Sequence, residues 1–353
     1  MTLPSPHPIR HLEQVRQVTY SGDFLSLPCY EIDVDGKSIR YAEAGNLVHA
    51  RVSTIFVKEP STIPWLEAMQ PDEVLVDIGA NVGLYSIYAA AFSGCRVYAF
   101  EPEALNYAEL NKNIFVNDLH GRVSAFCLAM SDEAKIEFLR LGAFGIGYSH
   151  HDFGENTWTQ DMVFGAGTTA KDARLEQGSV STSLDALIEA GVIPVPDHIK
   201  IDVDGLESRV IAGCRQTLAH PQLKTVLLEV DHRIEASYQL IDDLTAMGWQ
   251  YSMAQLRTNR KAILPVEEVK RLQRERRGGL NYIFFRDQAW DRLFQEFLDS
   301  YHPPLDQAGQ VIKGNPRLVS NWTTPSEATS VRQAARELAT AIQRSAKRRL
   351  WKS

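Results

Sequence analysis

Cysteine is scarce in this sequence, and no two cysteines are closely spaced. The 353 residues include four cysteines and no CxxC motif. No histidine stands near a cysteine at the spacing of metal ligands, so neither a zinc site nor a disulfide framework is expected. All four are expected to be core or surface thiols: Cys29, Cys95, Cys127 and Cys214.

Long hydrophobic runs are also missing. The longest apolar stretch, residues 85–100, is broken by Gly94 and Arg96, and the first residues carry no apolar segment behind their charges. A membrane-spanning helix needs about 20 apolar residues, and a signal peptide needs an apolar core, so neither is predicted. With 44% hydrophobic and 23% charged residues, we expect a globular protein of the cytoplasm.

Positive charge is concentrated at one end of the chain. Residues 331–353 contain seven Lys or Arg and one Glu, a net of +6, which leaves −13 for the rest of a chain whose total is −7. An acidic body repels a phosphate backbone. The charge distribution therefore argues against nucleic acid as a partner.

Strand-like and helix-like hydrophobic periods alternate from about residue 71 onward. Residues 142–179, rich in Gly, His and aromatics, interrupt this alternation, which resumes up to "NYIFF". Alternation of this kind is typical of right-handed crossovers and a mostly parallel sheet. We predict a doubly wound α/β fold whose first strands cover 74–78, 96–100 and 123–128 and whose helices include 84–92, 103–115 and 207–218.

The chain divides into three predicted regions. Residues 1–70 form a small β-containing cap with a hairpin around Asp35-Gly36, because an Asp-Gly pair between apolar runs favours a tight turn. The α/β domain covers 71–290 and includes the insert at 142–179, and the C-terminal extension covers 291–353.

The stretch "VLVDIGANVGLYS" joins the first strand of this domain to its first helix. Ligands of doubly wound sheets bind beyond the carboxyl ends of the strands, and the first turn is the usual nucleotide site. Gly79 and Gly83 allow close approach of the backbone, and Asp77 and Asn81 supply polar contacts. Glu101, at the end of the next strand, is placed to accept hydrogen bonds from a ribose diol.

The spacing of the glycines decides between nucleotides. A dinucleotide fingerprint needs GxGxxG so that the backbone can reach a pyrophosphate, whereas this turn carries Asn81 at its middle position. The Asp77 carboxylate would repel phosphates but suits a ligand with an amino group and a sulfonium. The predicted cofactor is S-adenosylmethionine; the alternative is that the glycines merely cap a turn.

Four motifs together resemble those of the FkbM-type methyltransferases, a branch of the Rossmann-like class that uses S-adenosylmethionine. They are "DIGANVGLYS", "FEPEALNYAELNKNIFVND", "STSLDALI" and "HIKIDVDGLESRVIAGC", and the likeness covers about residues 71–286. It implies a seven-stranded sheet whose last strand is antiparallel, and methyl transfer to oxygen on sugars or natural products. The family usually has Glu where this chain has Asp204, and the insert at 142–179 is a second departure.

The resemblance also implies roles in binding the donor. Asp77, Gly79, Asn81 and Gly83 would surround its methionine portion, and Glu101 would hold its ribose. The turn "AMSD" would place Met130, Ser131 or Asp132 near the adenine, although Asp132 is equally consistent with a turn or helix cap.

Charged residues at the end of the fourth strand are candidates for catalysis. Lys200, Asp202 and Asp204 alternate in "HIKIDVDG", so their side chains share one side of the strand and its exit. A buried parallel strand is ordinarily apolar, so these charges need a reason. Asp202 or Asp204 could act as a general base oriented by Lys200; Asp202, Asp204 and Glu229 could instead bind a magnesium-like ion; or the charges could be structural.

Three further features remain open in the sequence. His150 and His151 in the insert are either solvated or part of a substrate lid with a catalytic His150. The basic stretch 257–277 is either a solvated helix or a contact for an anionic acceptor. An apolar stripe from Val331 to Leu350 predicts an amphipathic helix for docking on the body, on a second subunit or on a membrane surface.

Other classes of protein fit less well. Adenine-N6 methylation needs a DPPY-like turn where this chain has "DVDG", and cytosine-C5 chemistry needs a Pro-Cys after the donor turn, whereas Pro28-Cys29 precedes it. A nicotinamide dehydrogenase would need the missing glycine. The remaining rival is a non-catalytic assembly protein that keeps the fold. We predict an O-methyltransferase with a small-molecule or glycan acceptor.

Overall fold

The computed structural model describes residues 3–6, 15–22, 26–154, 175–259 and 262–303. The predicted C-terminal helix and residues 155–174 of the insert lie outside these residues. Within the described parts of the chain, no helix is long and apolar enough to cross a membrane.

The N-terminal region combines a small antiparallel sheet with three short helices. At the predicted hairpin, Val34 pairs with Lys37, and Asp35 and Gly36 have φ of 51° and 76°, as a two-residue turn with left-handed residues requires. The hairpin prediction is confirmed. The elements are β1 Arg16–Ser21, β2 Ser26–Val34, β3 Lys37–Ala42, α1 Asn46–Ser53, α2 Ile55–Lys58 and α3 Thr62–Glu67.

The rest of the described chain alternates strands and helices, which confirms the predicted α/β class. Its first half contains β4 Val74–Ile78, α4 Leu84–Phe92, β5 Arg96–Phe100, α5 Ala104–Val116, β6 Val123–Phe126, β7 Ala129–Met130, β8 Lys135–Leu141, β9 His151–Phe153 and β10 Leu175–Thr182. Its second half contains α6 Leu184–Glu189, β11 His198–Ile201, α7 Glu207–Ala212, α8 Arg215–Ala219, β12 Thr225–Asp231, α9 Glu235–Ala246, β13 Gln250–Tyr251, α10 Met253–Arg257, β14 Thr258–Asn259, β15 Ala262–Ile263, α11 Val266–Arg274, β16 Gly279–Phe285 and α12 Ala289–Ser300.

The main sheet has the strand order β13-β16-β12-β11-β4-β5-β6 in the described residues. β4 pairs in parallel with β5 on one side and with β11 on the other. The chain therefore adds β5 and β6 on one side of β4 and then crosses back to add β11 and β12 on the other side. Strand order thus reverses between β4 and β11, at whose carboxyl ends ligands of such sheets bind. β16 runs antiparallel to β12.

Both faces of this sheet are covered. In β12, Val226 and Leu228 belong to one buried cluster with α7 and α9, whereas Leu227 belongs to the other, with α4 and the N-terminal region. Alternate residues of a strand point to opposite faces, so a fully apolar strand needs helices on both sides.

A second, smaller sheet corrects the prediction for the insert. Its order is β7-β10-β8-β9, and β10 pairs with β8 from Leu175 to Ser181. Residues 151–153 and 175–179, expected to be irregular, are therefore strands. β8 was not predicted, because it carries apolar residues on both faces: Ile136 and Phe138 are exposed, and Leu139 and Leu141 are buried.

Two other boundaries differ from the sequence prediction. The strand predicted at 123–128 ends at Phe126. The helix predicted at 207–218 is interrupted between α7 and α8, where a β-carbon on Gly213 would lie 2.1 Å from the carbonyl oxygen of Ser131. The Ser131 loop therefore packs directly against the chain at this interruption, and only glycine fits there.

A buried polar network lies at the amino ends of the central strands. His198 faces Thr225 through Nδ1 at 2.7 Å and Glu73 through Nε2 at 3.0 Å, and Lys224 forms an ion pair with Glu73. Trp65 donates its indole N–H to Thr225. The network satisfies polar groups that burial would otherwise destabilise.

Candidate active site

The turn after β4 is shaped by close contact with the neighbouring strand end. Gly79, Asn81 and Gly83 all have positive φ, of 78°, 52° and 80°. A β-carbon on Gly79 would lie 1.9 Å from the carbonyl oxygen of Asp202, so only glycine allows the β4 and β11 loops to meet. The predicted turn thus lies at the reversal point of the sheet.

Glu101 is fixed beside this turn by backbone amides. Its Oε2 accepts a hydrogen bond from the Asn81 amide at 2.8 Å, and its Oε1 accepts one from the Glu103 amide at 2.9 Å. Burial raises the pKa of Glu101 to about 7. A carboxylate held in this way has lone pairs for hydroxyl groups of a ligand, so its chemistry fits the ribose of the predicted cofactor.

Asp77 is more enclosed than the sequence suggested. It is 1% exposed, its Oδ2 accepts a hydrogen bond of 2.5 Å from Ser86, and its Oδ1 lies 3.6 Å from Lys200 Nζ. No hydrogen-bond partner for Oδ1 is present among the described residues. Asp77 therefore balances the buried Lys200 charge behind the turn.

Ser131 and Asp132 lie at the turn after β7. The Ser131 amide donates to Thr182 at 2.9 Å, and Asp132 Oδ1 accepts from the Arg209 guanidinium at 2.9 and 2.5 Å. Burial opposes ionisation of Asp132, but Arg209 and the Ser131 hydroxyl lower its pKa. The structure thus gives Asp132 an ion-pair partner that sequence reasoning did not foresee.

Lys200, Asp202 and Glu229 meet at the ends of β11 and β12. Lys200 Nζ donates to Asp202 Oδ2 at 3.0 Å, and Asp202 shares a hydrogen bond with Glu229. Burial raises the pKa of Asp202, but the Lys200 ammonium outweighs it and holds that pKa well below its usual range. The charge of Asp202, together with burial, raises the pKa of Glu229 well above its usual range.

Asp204 and His150 are brought together although they are far apart in the sequence. The His150 amide donates to Asp204 Oδ2 at 2.6 Å, and His150 Nδ1 lies 3.9 Å from Asp204 Oδ1. The His150 side chain is 62% exposed and that of Asp204 26%. Burial and the charge of Asp202 raise the pKa of Asp204. The two residues form a solvent-accessible His-Asp pair at the mouth of the site.

The magnesium alternative is not supported by this arrangement. Among the described residues, no group of three or more His, Cys, Asp or Glu side chains is arranged to hold a metal ion. Of the three carboxylates Asp202, Asp204 and Glu229, Asp202 is already engaged by Lys200 and Glu229.

The N-terminal region contributes residues that sequence reasoning missed. Glu59 forms an ion pair of 3.0 Å with Lys58, and its charge acts on Lys200 and on Glu229. From α4 of the α/β domain, the Tyr85 ring is a further neighbour, with its centroid 5.7 Å from Lys200 Nζ. The sequence did not identify Lys58 and Glu59 as site residues, because they lie in a region expected to be a cap. Their proximity to β11 arises only on folding.

The strand order and the reversal point at the ends of β4 and β11 place this protein among the Rossmann-like α/β folds. Residues 77–251 match the family model described as the methyltransferase FkbM domain. The chain therefore carries an FkbM methyltransferase domain, and the resemblance inferred from its motifs is confirmed.

Several named proteins are similar to this chain. The 31-O-demethyl-FK506 methyltransferase FkbM of Streptomyces tacrolimicus is 28% identical over 46% of this chain and 66% of its own length. The hexuronic acid methyltransferase AglP of Haloferax volcanii is 26% identical over 47% of this chain and 59% of its own length. The crystal structure of methyltransferase FkbM from Methylobacillus flagellatus KT has a TM-score of 0.40 at 14% identity, covering 66% of this chain and 49% of that one. This chain thus spans less than two thirds of these relatives.

Proposed function

We propose that this protein is an S-adenosylmethionine-dependent O-methyltransferase that acts on a hydroxyl group of a glycan or a small natural product, with the domain extending over residues 71–290. The observation that carries the proposal is Glu101, a buried carboxylate held by two backbone amides at the reversal point of the sheet. The relatives named for 31-O-demethyl-FK506 and for a hexuronic acid support the class of acceptor.

The donor would be held by residues around the turn after β4. Glu101 would accept hydrogen bonds from the ribose, and Gly79, Asn81 and Gly83 would border the methionine portion, with Asp77 behind them. Ser131 and Asp132 would border the adenine. When bound, S-adenosylmethionine supplies a methyl group already activated by a sulfonium.

Proton removal from the acceptor would fall to His150. A general base works best when its pKa is close to the working pH, and Asp202 is a poor choice because Lys200 holds its pKa low. The exposed His150 ring has a free edge toward solvent, and Asp204 lies beside it to stabilise the imidazolium that forms. Asp202, kept in place by Lys200, would orient a second hydroxyl of the acceptor.

The test combines donor binding with labelling. Calorimetry on the full chain should show uptake of adenosylhomocysteine, and methyl-labelled donor added to fractionated native extract should label a saccharide or small molecule. His150→Ala and Asp204→Asn should each reduce labelling by at least about tenfold. General-base catalysis typically contributes about 100-fold or more, so tenfold is a conservative threshold. Label in RNA or protein would reject the acceptor class, and binding of NADH without adenosylhomocysteine would reject the donor.

A further inference from the structure

One loop connects the donor side of the site to His150. This bridging loop, residues 145–150, is held at three of its residues by side chains from four different elements. The Tyr148 carbonyl accepts from the side-chain amide of Asn81 at 2.7 Å and from that of Asn106 at 3.0 Å. The Gly147 carbonyl accepts from Arg51 at 2.9 and 2.7 Å.

Asn106 occupies the centre of these contacts. It is fully buried on α5, and its Oδ1 accepts from the Gly147 amide at 2.7 Å while its Nδ2 donates to the Tyr148 carbonyl. Its side chain also lies within hydrogen-bonding reach of Glu101. A buried amide with both ends engaged has one orientation, because any rotation would leave a polar group unsatisfied.

The bridging loop ends at His150, whose backbone has an unfavourable conformation. His150 has φ of 65°, a region that residues other than glycine adopt at a cost. The contact that stabilises this conformation at the far end is the His150 amide bond to Asp204. Two residues earlier, at what we call the near end of the loop, Asn106 and Asn81 hold the Tyr148 carbonyl.

We infer that Asn106 is a positioning residue that holds His150 against Asp204 through the Gly147–Tyr148 backbone. The inference rests on the proposed function in taking His150 as the base. In the intact protein the strained His150 backbone is retained because both ends of a short loop are fixed. Loss of Asn106 removes the bond to the Gly147 amide and one of the two bonds to the Tyr148 carbonyl, and leaves, among the described residues, only Arg51 and Asn81 on this part of the loop. The strained His150 backbone then relaxes more often, and its amide leaves Asp204.

Hydrogen exchange of backbone amides on the full chain, resolved to single residues, tests this directly. Asn106→Ala should accelerate exchange of the Gly147 amide, which it contacts, and of the His150 amide, which it does not, each by about tenfold or more. Arg51→Ala, which releases the loop from a different element, should accelerate the His150 amide in the same direction.

Asn117→Ala is the matched control. Asn117 lies at the end of the same helix and, like Asn106, engages backbone groups with both ends of its amide, accepting from Arg40 N at 2.8 Å and donating to Arg40 O at 2.6 Å. This variant should leave exchange of the His150 amide unchanged. Acceleration of Gly147 alone in Asn106→Ala would overturn the inference, as would equal acceleration of His150 in the control.

The outcome is separable from that of the proposed function. Exchange of the His150 amide needs neither donor nor acceptor, whereas the proposed function requires the wild-type chain to bind adenosylhomocysteine in calorimetry. A chain that shows the exchange pattern but no such binding would retain the positioning role of Asn106 and lose the methyltransferase assignment.

Discussion

Asp202 and Glu229 lie side by side at the ends of β11 and β12 and share a hydrogen bond. Their strands pair in parallel, with Ile201 opposite Leu228, so the two carboxyl groups follow at the same level. Two carboxylates in contact cannot both ionise without strong repulsion. Lys200 stabilises the charge on Asp202, and the proton therefore stays on Glu229.

Glu229→Gln should change how stability depends on pH. The pKa of Glu229 is raised above its ordinary value of 4.5, so the folded protein holds a proton that the unfolded chain releases. The stabilisation that this proton gives the folded state is fully present below about pH 4.5. It is lost as the pH rises toward the pKa of Glu229 in the folded protein. Urea unfolding at a series of pH values should show the variant gaining stability relative to wild type from pH 5 to 9. A constant difference across that range would contradict the shared proton.

Gly79→Ala should damage the site far more than an equivalent change elsewhere. Its φ of 78° disfavours alanine, and the new β-carbon would lie 1.9 Å from Asp202 O. Gly36 has nearly the same φ, 76°, with nothing within 4 Å of its β-carbon position, so Gly36→Ala isolates the backbone cost of about 1–3 kcal/mol. Chemical unfolding should show a clearly larger loss for Gly79→Ala, and similar losses would show that the loops do not need this contact.

Glu101→Gln should weaken donor binding and remove its dependence on pH. Burial raises the pKa of Glu101 to about 7. The ionised carboxylate, which accepts hydrogen bonds through both oxygens, therefore predominates only above about that pH. Wild-type affinity for adenosylhomocysteine, measured by calorimetry, should therefore fall as the pH decreases from 8 to 6. The variant should bind at least about tenfold more weakly at pH 8, consistent with loss of hydrogen bonds to a charged group, and should show little change with pH.

Asp185 supplies the control for that experiment. It too accepts hydrogen bonds from two backbone amides, those of Gln216 and Thr217, both at 2.9 Å, but it lies at the start of α6. Asp185→Asn should leave affinity for adenosylhomocysteine close to wild type. Equal weakening in both variants would point to general loosening of the fold.

Glu73→Gln should destabilise the protein except in acid. Burial opposes ionisation of Glu73, but hydrogen bonds from His198 and Lys224 outweigh it and lower its pKa from 4.5 to about 2. Its contribution is thus present above about pH 4.5 and is lost as the pH falls toward 2. Near pH 7 the variant should lose about 1–3 kcal/mol in urea unfolding, and the gap to wild type should close below pH 4. A gap that stayed constant in acid would contradict the ionic network.

Much of the fold followed from local sequence patterns. Apolar periodicity predicted β4, α4 and β5 at their observed positions, because each pattern covers one continuous element. The end of β6 at Phe126 and the interruption of the helix at Gly213 were missed. At Gly213 the Ser131 loop, distant in the sequence, packs directly against the chain. The strand β8 was missed because its exposed Ile136 and Phe138 hide the alternation that burial would otherwise produce.

The sequence by itself determined the α/β class, the glycine-rich turn after β4 and the acidic residue that follows β5, since these depend on residues close together in the chain. Tertiary structure alone decided which charged residues are in contact. Lys200 lies beside both Asp77 and Asp202, and His150 of the insert donates its backbone amide to Asp204. Spacing along a chain carries no information on such distant pairs. Their electrostatics, and hence which group can act as a base, are fixed only when the strand ends and the bridging loop come together.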